Sequence, residues 1–353
     1  MLISSLFISS LALMGAVQDQ ADVQDVRATR SAVITELAQD LESNFLFPDA
    51  AHQYAAYLRA RELSAEDLAM DDASFAQALS AELQHIHQDA HLRVMWEDES
   101  APSPEAGPRQ PRQRPASMEA GQWLTPSIAY IRFNAFFGEP AVMAELENFV
   151  DTHAGAETLI IDIRGHRGGG LDEMDVLFPE LYREPTDLLV METRRSVDEE
   201  RGSPIREGRT IVAIDSTPEV VRRKHVVIPS ETPRLADTQL YVLTSQYSAS
   251  AAEHFAMVLQ RTQRATLVGE ATWGGAHYGG TVDLGDGYAV FIPVGRSFNP
   301  DTGADWEGVG VIPDIAVPAE EALVRALSEA GVTQEDAERI DQELAFVVPR
   351  RAP

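Results

Sequence analysis

Ser250 stands in a setting suited to nucleophilic chemistry. The apolar run Leu240 to Thr244 is short and aliphatic enough for a buried strand, and small polar residues 245–250 come directly after it. Ala251 to Arg261 then carries Phe255, Val258 and Leu259 at helical spacing. Strand, tight turn, serine and helix in that order put Ser250 at a helix N-terminus, where free N–H groups and the helix dipole stabilise an oxyanion. The same residues fit a quieter role. Ser250-Ala251-Ala252-Glu253 is also an S-x-x-E capping box, in which the serine only caps its helix. A serine hydroxyl is a poor nucleophile without a base in hydrogen-bond reach, so the local sequence leaves both readings open.

Three stretches, taken in order, resemble the C-terminal processing (tail-specific) serine peptidases. They are Asp162-Ile163-Arg164-Gly165-His166-Arg167-Gly168-Gly169-Gly170, then Ser248-Ala249-Ser250-Ala251-Ala252-Glu253 with Arg264 to Thr272, and Glu307-Gly308-Val309-Gly310-Val311-Ile312-Pro313-Asp314. The resemblance implies that Ser250 is the nucleophile. It also implies an oxyanion hole from the N–H groups of Gly168 or Gly169 and of Ala251. Many members use a lysine after the T-x-G turn, but Gly275 occupies that position, and Lys224 is the only lysine in the chain. Lys224 lies in the run Arg222-Arg223-Lys224-His225, which reads as a solvated turn. The branch that resembles the tricorn protease core and interphotoreceptor retinoid-binding protein uses a histidine and a glutamate instead, and these map onto His91 and Glu307. The logic is then that of a serine triad, with His91 moving the proton and Glu307 orienting the site. His277 is the rival base, and with Gly275 it is otherwise expected to line the substrate cleft. His166 replaces the asparagine usual in the glycine turn, and His254 lies on the nucleophile helix as a bystander. Asp162 and Arg164 are expected as structural partners in the turn.

These residues need a scaffold, and the pattern supplies one. Val33, Leu37 and Leu41 recur at helical spacing, as do Phe75, Leu79, Leu83 and Ile86, which marks a small N-terminal helical domain. Glu97 to Gln122 is rich in proline, serine, glutamate and arginine and reads as a flexible linker. Beyond it, strands at 128–133, 159–163, 210–214, 240–244, 265–268 and 288–294 alternate with helices, implying a mixed α/β core. The expected division is a signal peptide at 1–18, a helical domain at 19–96, a linker at 97–122, a core at 123–318 and a helical tail at 319–353. By resemblance the core is a mixed-sheet, crotonase-like ββα serine peptidase core with an N-terminal helical cap and no PDZ insert.

Composition narrows the partners. With 353 residues, 44% of them hydrophobic, the chain can bury a substantial core. A formal net charge of −28 argues against a nucleic-acid partner, because the phosphate backbone would be repelled. The absence of cysteine excludes disulfides, thiol catalysis and cysteine-ligated metals. Leu2 to Val17 reads as an export signal shorter than a membrane span, so the protein is expected to be periplasmic or extracellular, with no stable membrane insertion after its removal. Neither a metal nor an organic cofactor is implied. The function expected is a serine endopeptidase acting on peptide or protein substrates. The alternative is a non-catalytic binding protein for apolar ligands or unfolded peptides, and an esterase with the same site is a third reading.

Overall fold

The computed structural model describes residues 5–98 and 116–344. Most of the expected linker lies outside the described residues, as do the side chains of the expected export segment. The chain runs α1 (Ser5–Asn44), α2 (Pro48–Ala60), α3 (Ala65–Ala69), α4 (Asp72–Ile86) and β1 (Arg93–Trp96). It continues with β2 (Met118–Trp123), β3 (Ile128–Phe133), α5 (Pro140–Thr152), β4 (Thr158–Asp162), α6 (Asp172–Leu181) and β5 (Thr186–Arg194). Next come α7 (Arg195–Glu200), β6 (Ile211–Ala213), β7 (Val220–Val227), β8 (Gln239–Thr244), α8 (Ala251–Arg261) and β9 (Thr266–Gly269). The last elements are β10 (His277–Gly285), β11 (Tyr288–Phe298), β12 (Ile315–Ala316), α9 (Ala322–Glu329) and α10 (Gln334–Leu344). Two compact units result, Met1–Arg109 with Gly279–Val294, and Gln110–Tyr278 with Gly295–Pro353.

The first unit is built on the apolar stripes of α1, α2 and α4. Val33, Leu37, Leu41, Tyr54, Leu58, Phe75, Leu79 and Leu83 are all buried there. Asp71 caps α4 by accepting the Ser74 N–H at 2.7 Å. The guanidinium of Arg30 is buried over the Phe75 ring at 4.6 Å and pairs with Asp72 at 2.9 Å. The Tyr288 hydroxyl donates to the same carboxylate at 2.6 Å, and β1 pairs antiparallel with β11 in the register Arg93↔Phe291.

In the second unit the site rests on a sheet of order β12-β9-β8-β4-β3-β2, parallel except for the antiparallel β2–β3 edge. Helices cover both faces, which is why its inner strands are continuous apolar runs. Alternate residues face opposite ways. Ala129, Ile131, Leu159, Ile161 and Val242 pack with α5, α6 and α8, whereas Tyr130, Ile160, Tyr241 and Leu243 pack with α9 and α10.

Two local expectations are corrected. Residues 118–122, read as the end of the linker, form most of β2, because Met118 is buried and the segment pairs with β3. Arg222 to His225 is not a solvated turn but the middle of β7, between β5 and β6. Its charges are matched by β5 and α7, Arg222 to Glu192 at 2.8 Å and Lys224 to Asp187 at 2.6 Å on the strand, and Arg223 to Asp198 at 2.6 Å on the helix.

The loop leaving β4 is rooted by a fully buried ion pair. Arg164 chelates Asp162 through Nε at 3.0 Å and Nη2 at 2.7 Å, and the Tyr130 hydroxyl donates to the same carboxylate at 2.7 Å. Burial by itself raises the Asp162 carboxyl, but the Arg164 charge and these hydrogen bonds hold it below its ordinary value. Asp162→Asn leaves the guanidinium buried without its counter-charge and is expected to cost about 3 kcal/mol in urea unfolding at neutral pH. Since the folded carboxyl titrates below the unfolded one, the stabilisation is complete above the unfolded value. It is lost as pH falls through the folded one, so the gap between wild type and variant should narrow only in strong acid.

Candidate active site

The site forms where the loops leaving the C-terminal ends of β4 and β8 meet. Those strands are parallel neighbours in the register Asp162↔Leu243, so their loops emerge side by side. Small hydroxyl residues bind the two loops together. Ser245 Oγ donates to the Arg164 carbonyl at 2.6 Å, Ser248 Oγ to the Ile163 carbonyl at 2.8 Å, and the Ala249 N–H to the His166 carbonyl at 3.0 Å. Ser245 and Ser248 are fully buried, which separates them from their neighbour Ser250.

Ser250 has φ 56° and ψ −116°. A capping serine is extended, and a non-glycine residue at positive φ is strained, so an ordinary helix cap does not account for this backbone. Glu253, 0% exposed, holds the conformation. Its carboxylate accepts the Ser250 N–H at 2.7 Å, the Thr272 hydroxyl at 2.7 Å, the Gly274 N–H at 2.7 Å and the Gly275 N–H at 2.8 Å. Burial raises its pKa even against these four donors.

The glycine turn meets Ser250 closely. A Cβ on Gly168, at φ +104°, would lie 2.9 Å from Ser250 Cβ and 3.3 Å from its Oγ. One on Gly169, at φ +133°, would lie 1.8 Å from the Phe136 carbonyl oxygen, so only glycine fits either place. The N–H of Gly168 donates to His166 Nδ1 at 3.0 Å, which engages one of the donors expected for an oxyanion. Neither the Gly169 N–H nor the Ala251 N–H has an acceptor among the described residues.

A cavity of about 460 Å³ opens beside these groups. Gly169, Ser250, Ala251, Gly275 and His277 line it, with Met191, Ile205, Ile211 and Trp306 supplying apolar wall. His254 lines it too and is no bystander to the packing. Its Nε2 meets His225 Nδ1 at 3.0 Å and its Nδ1 meets Ser297 Oγ at 3.3 Å. Burial pushes His225 down to about 4, and burial together with the neighbouring His225 puts His254 well below its ordinary value, so both rings are neutral.

Glu307 fixes the strip after Gly275 by accepting the N–H groups of Ala276 at 2.7 Å and His277 at 3.0 Å. The His277 ring lies between Asp305, 3.6 Å from Nε2, and Glu307, 3.8 Å from Nδ1. Burial works to raise Asp305, but His277 and Arg296 hold it well below the carboxylate range. Ser250, Ala251, Gly168, Gly169, Gly275, His277 and Glu307 all belong to the second unit. Ser250, Ala251, Gly169, Gly275 and His277 line the cavity, Gly168 lies against Ser250, and Glu307 holds the backbone at 276–277.

His91 is carried by the first unit, in the turn between α4 and β1. Asp89 shapes that turn by accepting the N–H groups of His91 at 2.9 Å and Leu92 at 3.2 Å. Gln84 in turn accepts the Asp89 N–H at 2.9 Å. Sequence reasoning passed over Asp89, Glu253 as a clamp, Asp305 and the His225–His254 pair. Of these only Glu253 left a local signal, in the S-x-x-E spacing.

Comparison with solved structures supports the fold. A structure from Parabacteroides merdae matches with TM-score 0.58 at 16% identity, covering 88% of this chain and 98% of the other. The photosystem II D1 C-terminal processing protease matches with TM-score 0.50 at 16% identity, covering 82% and 93%. Residues 127–317 match peptidase family S41 and residues 14–129 match the N-terminal domain of peptidase S41 in eukaryotic IRBP, so the chain belongs to family S41. Among curated relatives, carboxyl-terminal-processing peptidase 1, chloroplastic, of Arabidopsis thaliana is 26% identical over 215 residues, 60% of this chain. The carboxyl-terminal-processing protease of Synechocystis sp. is 28% identical over 200 residues, 54% of this chain, and in both cases 38% of the relative is covered.

Glu253→Gln places an NH₂ group among four donors that all require an acceptor. We expect a loss of about 3 kcal/mol in denaturant unfolding. Displacement of Ser250 should also slow its reaction with a fluorophosphonate about a hundredfold, measured as labelling kinetics on the folded fraction.

Proposed function

We propose that the chain is an exported serine endopeptidase with Ser250 as its nucleophile. The observation that carries this reading is a serine held at positive φ that lines a cavity together with Gly169 and Ala251, whose N–H groups have no acceptor among the described residues. Strain of this kind is kept where the surroundings enforce it, and a serine lining a cavity at a tight strand-to-helix turn is the setting of a nucleophile elbow. Membership of family S41 supports the same chemistry, and so do the names of the processing proteases that this chain resembles.

In this mechanism the Ser250 Oγ attacks the peptide carbonyl carbon while His91 takes its proton. The carbonyl oxygen becomes an oxyanion that accepts from the N–H groups of Gly169 and Ala251. Protonated His91 then gives the proton to the departing amine, and the C–N bond breaks to leave an acyl-serine. Water, deprotonated by His91, releases the acid and restores the serine. Glu307 orients the site, and it does so in part by holding the backbone of Ala276 and His277. His91 is assigned by its place in the family pattern, and the S41 N-terminal domain match includes it. The peptidase core of this reading is the crotonase-like ββα arrangement without a PDZ insert.

The test is fluorophosphonate labelling of the purified protein with peptide mapping, in wild type, Ser250→Ala, His91→Ala and His277→Ala. Label should fall on Ser250, vanish in Ser250→Ala and drop about a thousandfold in rate in His91→Ala. Loss of label in His277→Ala but not His91→Ala moves the base to His277. A folded wild type that takes no label on Ser250 overturns the reading in favour of ligand binding. Peptide and short-ester substrates run side by side separate the endopeptidase from an esterase.

A further inference from the structure

The glycine turn holds a buried histidine that takes no part in the proton transfers of the peptidase mechanism. His166 is 0% exposed, and its ring packs against Phe136 with centroids 4.2 Å apart and planes at 73°. Its Nδ1 accepts the Gly168 N–H, so that nitrogen carries no proton and Nε2 carries it. That Nε2 is buried without a partner among the described residues, which is unfavourable. An apolar side chain would fill the same space at lower cost, so the imidazole's distinctive contribution is the acceptor at Nδ1.

The bond matters because Gly169 is the next residue after the one it holds. A peptide group is planar and trans, so its N–H and C=O point in opposite directions. The Gly168 carbonyl accepts the Phe136 N–H at 3.0 Å, which sends the Gly169 N–H of the same peptide the other way, away from Phe136. The Gly170 N–H donates to the Phe136 carbonyl at 2.6 Å and fixes the peptide after it. On the other side of Gly168, the preceding peptide is fixed by His166. Glycine at φ +104° has no side chain to resist rotation, so without that bond Gly168 is restrained at one end only.

We infer that His166 is a positioning residue for the oxyanion hole, acting through the Gly168 N–H to aim the Gly169 N–H at the carbonyl attacked by Ser250. This rests on the Ser250 reading and deepens it. Burial pushes the imidazole down to about 3, so the acceptor persists across the pH range in which a serine peptidase works. The histidine carbonyl also accepts the Ala249 N–H, so the same residue touches both loops that build the site.

The experiment compares His166→Phe, which keeps a buried ring and removes the acceptor, with His166→Asn, whose amide oxygen branches from the side chain where Nδ1 does. Turnover of a p-nitrophenyl ester should fall about thirtyfold in kcat for His166→Phe, with KM within about threefold of wild type. His166→Asn should restore kcat to within about threefold. A packing role alone would be served by the phenyl ring and spoiled by asparagine, the opposite order. Wild-type kcat in folded His166→Phe, or an equal loss in both variants, overturns the inference. A readout that needs no variant is the ¹⁵N spectrum of histidine-labelled wild type. It should show His166 protonated at Nε2 and accepting at Nδ1, and a proton on Nδ1 overturns the inference as well. If wild type itself neither turns over ester nor takes the fluorophosphonate, the assignment of Ser250 fails, a result distinct from an active wild type that is indifferent to His166.

Discussion

A serine cannot rest at φ 56° unless something holds it there, and the buried Glu253 carboxylate does most of the holding. It reaches back to the Ser250 N–H and forward to Thr272, Gly274 and Gly275, so one side chain joins the Ser250 turn to the strip that ends at His277. Burying a carboxylate is unfavourable unless its oxygens are satisfied, and here they are satisfied by groups that thereby become fixed. Position of the serine and position of the opposite wall are in this way a single property. The capping-box spacing and the nucleophile assignment are then not rivals, because the glutamate of the box is what makes the strained serine possible.

The scaffold was legible from the chain because its elements are periodic. The aliphatic runs at 128–133, 159–163 and 240–244 correspond to β3, β4 and β8, and the helical spacing after Ser250 is α8. Reading failed where partners are distant. Arg222 to His225 looks solvated until Glu192, Asp198 and Asp187 are placed beside it, and those lie on β5 and α7, outside any local window. The start of β2 was lost for a related reason, since Met118 has only a short apolar context and its pairing with β3 is what defines it. Asp305 and the His225–His254 pair are likewise joined only by folding, and no spacing announces them.

Polar groups at and behind the cavity divide by state. His254, His225 and His166 are kept neutral by burial, whereas Asp305 is kept ionised by His277 and Arg296. His254, Met191, Ile205, Ile211 and Trp306 give the cavity neutral and apolar surface, while Asp172, Asp175 and Arg206 bring ionisable groups to the same lining. The Glu307 carboxylate lies behind the strip at 276–277, where it sets backbone position.

The Arg164 guanidinium, at the root of the glycine turn, also donates to the carbonyl of Ala319, 155 residues further along the chain, at 2.7 Å. A ribosome that has just finished Ser250 has therefore made every residue of the turn before it but not the acceptor that completes the Arg164 loop. Strand β12, which pairs with β9 at the sheet edge, and helix α9, which packs on one face of β8 and β9, are also still unmade at that point. The order of synthesis thus places Ser250 before the parts that set it, so the growing chain can carry its serine without yet having a finished site around it.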